Sequence, residues 1–458
     1  MKLNLFKKYI TLEGTKYLLL CLMLFLLPFE LHPRADVQGV SIRLSQIFGL
    51  ALIVLCVPII IEKRKDWLTK PWILLALFIF VSTISSLLSM GRIKGLMVTL
   101  FCGFDFLLAY VVSKTFDLKN SDTYKKIIFI SGLVVTIFCI FQFFGDSLGV
   151  SNKYTLLLVR YTKEIFGFPR IQGFSLEPLY LANFIFIPLS LALSGYLFTK
   201  KKYLLVLSSI FSTVILLTVA RGAYVALIAL IVFSLSWLIH KKSYHQALSI
   251  VIAGLISVAI FIGLIRISGT LASSSIKTTI VPQSSEQNLP DQTVSSGGNT
   301  TRLVYHINSF GADQSFADRK RTAQVALEVG LENPLLGVGP GNYGKYLVKK
   351  IPDKYSDTNQ IVNNEPAEIF AETGFLGFVI ISLFVIYCLR KMIYYDTTKN
   401  TAPNNMWFFA TSFMLLAFAI QWQTFSTLYI THIWVMIGIF IYLVSNSKFK
   451  KRIFDGKS

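Results

Sequence analysis

The chain has 458 residues, 54% of them hydrophobic and only 15% charged, with a mean hydropathy of +0.61, far outside the range of a soluble globular domain. Its net charge of +20 does not point to a nucleic acid, because the lysines flank apolar stretches at alternate ends instead of forming one basic face. What remains is a polytopic membrane protein.

Apolar windows of the length needed to cross a hydrocarbon core recur about twelve times. They lie near 16–33, 43–61, 72–90, 95–113, 126–145, 178–198, 203–220, 222–239, 247–267, 367–389, 406–423 and 427–445. The first is preceded by Lys2, Lys7, Lys8 and Lys16, as in a signal peptide. It offers no small-residue cleavage site at Pro28–Leu31, so it reads as a retained helix. The five cysteines all fall inside apolar windows with no CxxC pair, which argues against disulfides and a cysteine-ligated metal. Asp105 is a lone charge within the fourth window, where a structural hydrogen bond and a functional role are both open.

With a cytoplasmic N-terminus, Lys63, Lys65, Lys70, the Lys200–Lys202 triplet, Lys241, Lys242, Arg390 and Lys391 share the inner face, and both termini are cytoplasmic. The chain then divides into nine spans over 1–267, a large outer loop over 268–365, and three spans with a tail over 366–458. Ten of thirteen arginines lie on the outer side, whereas twenty-two of thirty-one lysines lie inside. Topology needs only positive charge, so an outward bias of arginine alone suggests bidentate recognition of phosphate or carboxylate. Pairing with loop carboxylates or lipid headgroups is the plainer account.

After the fifth window an outer loop spans roughly 146–177. TLLLVRYTKEIFGF within it suggests an interfacial amphipathic helix, with Leu156, Leu157, Val159 and Phe166 against lipid. Arg170 and Glu177 follow, and Arg221 stands between two hydrophobic runs in LTVARGAYVAL, where a guanidinium needs a partner. The first third of the large loop, Ser268 to about Arg302, is rich in Ser, Thr, Gln and Gly and predicts no rigid fold. From Asp318 the pattern predicts a short helix carrying Arg319 and Arg321, with Val325, Leu327, Val329 and Leu331 as its apolar residues. Asn333–Pro334 ends it.

Gly339 to Gly344 formally matches GxGxxG, but it follows no strand and opens no βαβ unit, so a dinucleotide reading fails. Gly337, Gly339 and Gly341 instead predict a tight path bringing the loop back over the membrane, returning through Asn363 and Asn364. Glu368 and Glu372 are four apart and share one helical face. With Glu177 they are the candidate general bases at the outer rim, although carboxylates at helix starts are ordinary dipole partners. The five histidines show no metal-ligand spacing.

Four patches together resemble the O-antigen ligase and Wzy-type polysaccharide polymerase superfamily. They are R-x-x-G-F at Arg170 to Phe174, A-R-G at Ala220 to Gly222, N-P-L-L-G-V-G-P-G-N at Asn333 to Asn342, and N-x-x-x-E-x-x-x-E-x-G-x-x-G from Asn364 to Gly377. They occur in the family's order. Arg319 and Gly330 also resemble the R-x10-G pattern of polymerase outer loops.

The resemblance implies an all-α, GT-C-like fold of about twelve membrane helices in a bacterial cytoplasmic membrane, with the active site facing the periplasm or cell exterior. It implies a glycosyltransferase that needs no metal or cofactor and moves a glycan from undecaprenyl pyrophosphate onto the next lipid-linked repeat unit. Arg170, Arg221, Arg319 and Arg321 would hold the pyrophosphate, and Glu177, Glu368 or Glu372 would take the acceptor proton. Membrane lipids, a chain-length regulator and a flippase are the implied partners. Ligases of the family resemble H-N-x-x-x-E where this chain has Asn363, and Glu177–Pro178 is similar to the polymerases, so polymerisation is preferred. A ligase acting on lipid A core and a lipid-linked oligosaccharide flippase stay open.

Overall fold

The computed structural model describes residues 11–31, 34–37, 40–163, 167–275, 314–426 and 428–449. Helices α1 (Leu12–Leu26), α2 (Leu44–Glu62), α3 (Lys70–Leu88), α4 (Arg92–Thr115) and α5 (Ser121–Ser147) come first. They are followed by α6 (Pro178–Thr199), α7 (Lys202–Leu217), α8 (Arg221–His240) and α9 (Tyr244–Ser275). The outer segment contributes α10 (Gln314–Glu332) and α11 (Tyr343–Lys350), and α12 (Glu365–Ile393), α13 (Ala402–Gln421) and α14 (Thr431–Ser445) complete the chain. A helix therefore occupies every apolar window read from the sequence. Among the described residues, eight are long and apolar enough to cross a membrane, and α7 and α14 are shorter apolar helices. The protein is an all-α polytopic membrane protein. Its only described sheet is a hairpin, β1 (Arg34–Val37) with β2 (Val40–Arg43), which no pattern in the sequence had suggested.

Local chemistry sets the helix boundaries. Prolines in the first turn open α3, α6, α12 and α13, where the missing N–H costs nothing and φ is already helical. Thr11 caps α1 by accepting from Gly14 N. Burial separates the helices by role: 94% of the apolar window of α6 is buried against 22% of that of α9, so α6 is the hub and α9 presents its side chains outward. Around the hub pack α7 and α13, while α14 lies along α4, and α12 contacts both α3 and α10. All five cysteines are free and buried. Asp105 is buried beside Thr431 of α14.

Among the described residues, the loop after α5 forms no continuous interfacial helix. It makes a single turn at Asn152–Thr155 and a 3₁₀ turn at Val159–Tyr161, and Leu157, Phe168 and Ile171 are buried instead of facing lipid. Two glutamines explain this. Gln142 of α5 accepts from Gly173 N (2.8 Å) and donates to Thr155 O (2.8 Å), and Gln172 accepts from Leu158 N (3.2 Å). These side chains satisfy backbone groups that water would otherwise have to reach, so the loop folds into the bundle. Val159 does stay exposed, and Phe166 lies outside the described residues.

α10 forms where the sequence predicts it, but only half of its apolar residues point inward. Val325 and Val329 are buried with Val338, Tyr343, Leu347, Val362 and Ala371 in a second small core, whereas Leu327 and Leu331 are exposed. Arg302 and the Ser/Thr-rich part of the loop after Ser275 lie outside the described residues.

Candidate functional site

The helix that carries the carboxylate pattern is broken. Asn364 caps α12, its Oδ1 accepting from Ala367 N (3.1 Å), but Gly374 adopts φ 64°, ψ −166° in the middle of the run. The break leaves carbonyls without helical partners, and the outer loop fills the gap. Val338 N donates to Ala371 O (3.0 Å), Gly339 N to Glu372 O (2.8 Å), and Phe375 N to Pro334 O (2.7 Å). Irregular backbone is tolerated in a membrane helix where protein groups satisfy it in this way. The loop must come very close to do so. A Cβ on Gly337 would lie 2.4 Å from the carbonyl carbon of Glu372, and Gly337, Gly339 and Gly341 all have positive φ. The glycines thus serve the tight path expected of them, and Asn342 ties the same loop to the α3–α4 turn through Ser89 and Gly91.

Glu365, Glu368 and Glu372 all lie on the first half of α12 and are 1–3% exposed, so they do not stand at an open rim. Each accepts hydrogen bonds from a neighbouring segment. Glu368 accepts from Val362 N (2.9 Å) and Ser426 Oγ (2.5 Å). Glu372 accepts from Tyr343 N (3.3 Å) and Tyr429 Oη (3.2 Å), and Glu365 from Leu428 N (3.0 Å). The cavity they face, walled by Ser82, Thr99 and Cys102 of α3 and α4, offers a water centre only about 10 Å³, room for about one molecule.

A second group of charged residues assembles around Arg170. Its Nε donates to Thr218 O (3.2 Å) and its Nη2 to Val219 O (3.3 Å), and the guanidinium lies 5.4 Å from the centre of the Tyr161 ring. The two carbonyls belong to the turn that delivers Arg221 to the start of α8. Val219 occupies the left-handed region with φ 49°, unusual for a β-branched residue and a sign of stored strain. Burial pulls the Arg170 guanidinium below its ordinary value, partly countered by Tyr161 and Tyr224, while the charge of Arg319 from α10 pulls it further down. The structure therefore seats Arg170 against the turn that leads into Arg221, and the charge of Arg319 reaches it from α10. Arg321 is two residues beyond Arg319 and exposed, on the other side of the helix.

Glu177, directly before α6, pairs with Arg160 at 3.0 Å, and both side chains are largely open to solvent (40% and 60% exposed). Its charge also acts on Arg170. Asn363 has φ 59° and Asn364 Nδ2 donates to Gln423 O (3.1 Å), so both asparagines shape the return of the outer segment. His432 is buried in the core with its Nε2 2.7 Å from Asn183 Oδ1. Sequence reasoning missed the tyrosines: Tyr161 under Arg170, and Tyr343, whose hydroxyl donates to Thr322 O (2.7 Å). No motif marks them, since each acts through a partner distant in sequence.

A family model described as O-Antigen ligase matches residues 203–382, consistent with the superfamily that the motifs resemble. The match runs from α7 into α12 and includes Arg221, Arg319, Arg321, the glycine loop and the three glutamates, while Arg170 and Glu177 precede it. It supports, at family level, glycan transfer of the ligase or polymerase type by a membrane protein. No curated protein matches the chain.

Proposed function

We propose that the protein is a polysaccharide polymerase that transfers a growing glycan from undecaprenyl pyrophosphate to a hydroxyl of the next lipid-linked repeat unit, on the outer face of a bacterial cytoplasmic membrane. The observation that supports this reading is Arg170 seated against the turn that leads into Arg221, its guanidinium bonded to Thr218 O and Val219 O, with the charge of Arg319 acting on it from α10. As the bond from the anomeric carbon to the pyrophosphate oxygen breaks, its electron pair passes to the leaving group, and guanidiniums already in place stabilise the charge that gathers there. The acceptor oxygen forms the new glycosidic bond and its proton passes to a carboxylate. Glu177 suits this task better than Glu368 because it is reached by solvent and held only by an exposed pair. Direct in-line attack inverts the anomeric configuration.

The second reading is ligation, favoured by the O-antigen ligase family whose model matches residues 203–382. Against it stands Asn363 where the resembling ligases carry histidine. Purified protein incubated with lipid-linked repeat units and no nucleotide sugar distinguishes the outcomes: a ladder supports polymerisation, and transfer to added lipid A core supports ligation. No covalent product sinks both and leaves transport.

A further inference from the structure

Where α3 begins and α12 ends, the seam between the two helices opens into a groove of about 520 Å³. It lies some 18 residues along α12 from Glu372, roughly 27 Å at helical rise, and so is remote from the buried carboxylates. Its walls are apolar and open, with Ile73 of α3 37% exposed and Leu383 and Ile386 of α12 47% and 49% exposed. Its rim is cationic, formed by Lys70, Arg390 and Lys391, and among the described residues no carboxylate lines it. The Lys391 ammonium lies 4.4 Å from the centre of the Phe449 ring and 5.7 Å from that of Tyr387, which hold it at the rim.

Arg390 and Lys391 alone would be ordinary, since cations in a last helical turn complement its free carbonyls. Lys70 is not. It occupies the first turn of α3, the positive end of a helix, where a cation is disfavoured, and it faces two further cations across the groove. Asp66, four residues earlier, is paired with Lys114 instead. An apolar trough ending in three cations at a helix N-terminus matches an amphiphile with an anionic head.

We propose that this groove binds an anionic glycerophospholipid, its phosphate held by Lys70, Arg390 and Lys391 and its acyl chains laid against Ile73, Leu383 and Ile386. The test is native mass spectrometry of the full-length protein in detergent, titrated with phosphatidylglycerol or with phosphatidylcholine of the same acyl chains. One phosphatidylglycerol should be retained in preference to phosphatidylcholine. The variant K70Q/R390Q/K391Q should weaken that retention roughly a hundredfold, at about fivefold per cation, whereas K200Q/K201Q/K202Q should leave it intact. Should the triple variant fail to fold, R390Q alone should give about a fivefold loss. Equal retention of the two lipids, or a neutralised groove that binds like wild type, overturns the proposal. So does displacement of phosphatidylglycerol by an equal concentration of polyprenyl phosphate, which would assign the groove to an isoprenoid carrier.

Discussion

Replacing Gly337 by alanine tests whether the outer loop completes the broken helix. The new Cβ would lie 2.4 Å from Glu372 C, 2.5 Å from Ala371 O and 2.6 Å from Thr373 N, all backbone atoms that cannot rotate away. Holding alanine at φ 67° costs about 1–2 kcal/mol, and overpacking against the backbone about 1–3 kcal/mol more. If the loop lifts to relieve the contact, it gives up the bonds from Val338 N and Gly339 N, about 0.5–1.5 kcal/mol each. Since the φ cost stays in both cases, either route loses about 2–5 kcal/mol. Thermal midpoints of the detergent-solubilised protein, followed by size-exclusion fluorescence, should fall by several degrees, and glycan transfer should fall with them. Gly103→Ala is the control, because nothing lies within 4 Å of its added Cβ and alanine favours the helix by about 0.5–1 kcal/mol. Equal midpoints for Gly337→Ala and wild type would refute the reasoning.

Four further substitutions probe the charged groups. Arg170→Lys keeps the charge but cannot reach both Thr218 O and Val219 O as a fork, so losing one charged hydrogen bond of about 1.5–3 kcal/mol should cut ladder formation about 10- to 100-fold; a wild-type ladder excludes a bidentate role. Arg221→Lys should likewise shorten the products although charge is conserved, and wild-type chain length in that variant defeats the argument. Glu177→Gln breaks an exposed ion pair contributing about 0–1 kcal/mol, so the thermal midpoint should stay and glycan transfer should vanish; an active variant removes Glu177 as the base. Tyr343→Phe removes the hydroxyl's bond to Thr322 O, about 0.5–1.5 kcal/mol, which should loosen α10 to limited proteolysis; unchanged cleavage means that the hydroxyl does not anchor the helix.

Much of the architecture was legible because the membrane enforces it. Apolar runs must be helical when the bilayer cannot satisfy a backbone, and every predicted window holds a helix. α10 was equally legible, since Asn333–Pro334 stops it. What stayed hidden depends on partners far away in sequence. Leu157 looked lipid-facing because no local pattern reveals that Gln142 and Gln172 draw its loop inward. Glu368 and Glu372 looked solvent-facing because a helix start in sequence does not show that the 334–343 loop covers it. Gly374 could be named as part of a motif, but its break is visible only in the carbonyls that Val338 and Gly339 cap.

The i, i+4 spacing of Glu368 and Glu372 correctly places them on one helical face, and that face meets the loops. Val362, Tyr343 and Leu428 each donate a backbone N–H to one of the three glutamates, so the carboxylates act as pegs on which separate segments hang. Tyr343 carries the connection further, from Glu372 to Thr322, whose hydroxyl bonds Arg319 O (3.1 Å) and Val362 O (2.8 Å). The backbone of α10 that presents Arg319 is therefore tied to the same half-helix that bears the carboxylates. Glu368 is 3% exposed, and its Oε2 already holds Val362 N and Ser426 Oγ, so an acceptor hydroxyl can reach it only through the small cavity beneath the outer segment. Under the proposed function Glu177 needs only to part from Arg160 in solvent, which leaves alignment to α12 and the chemistry to the 170–177 segment.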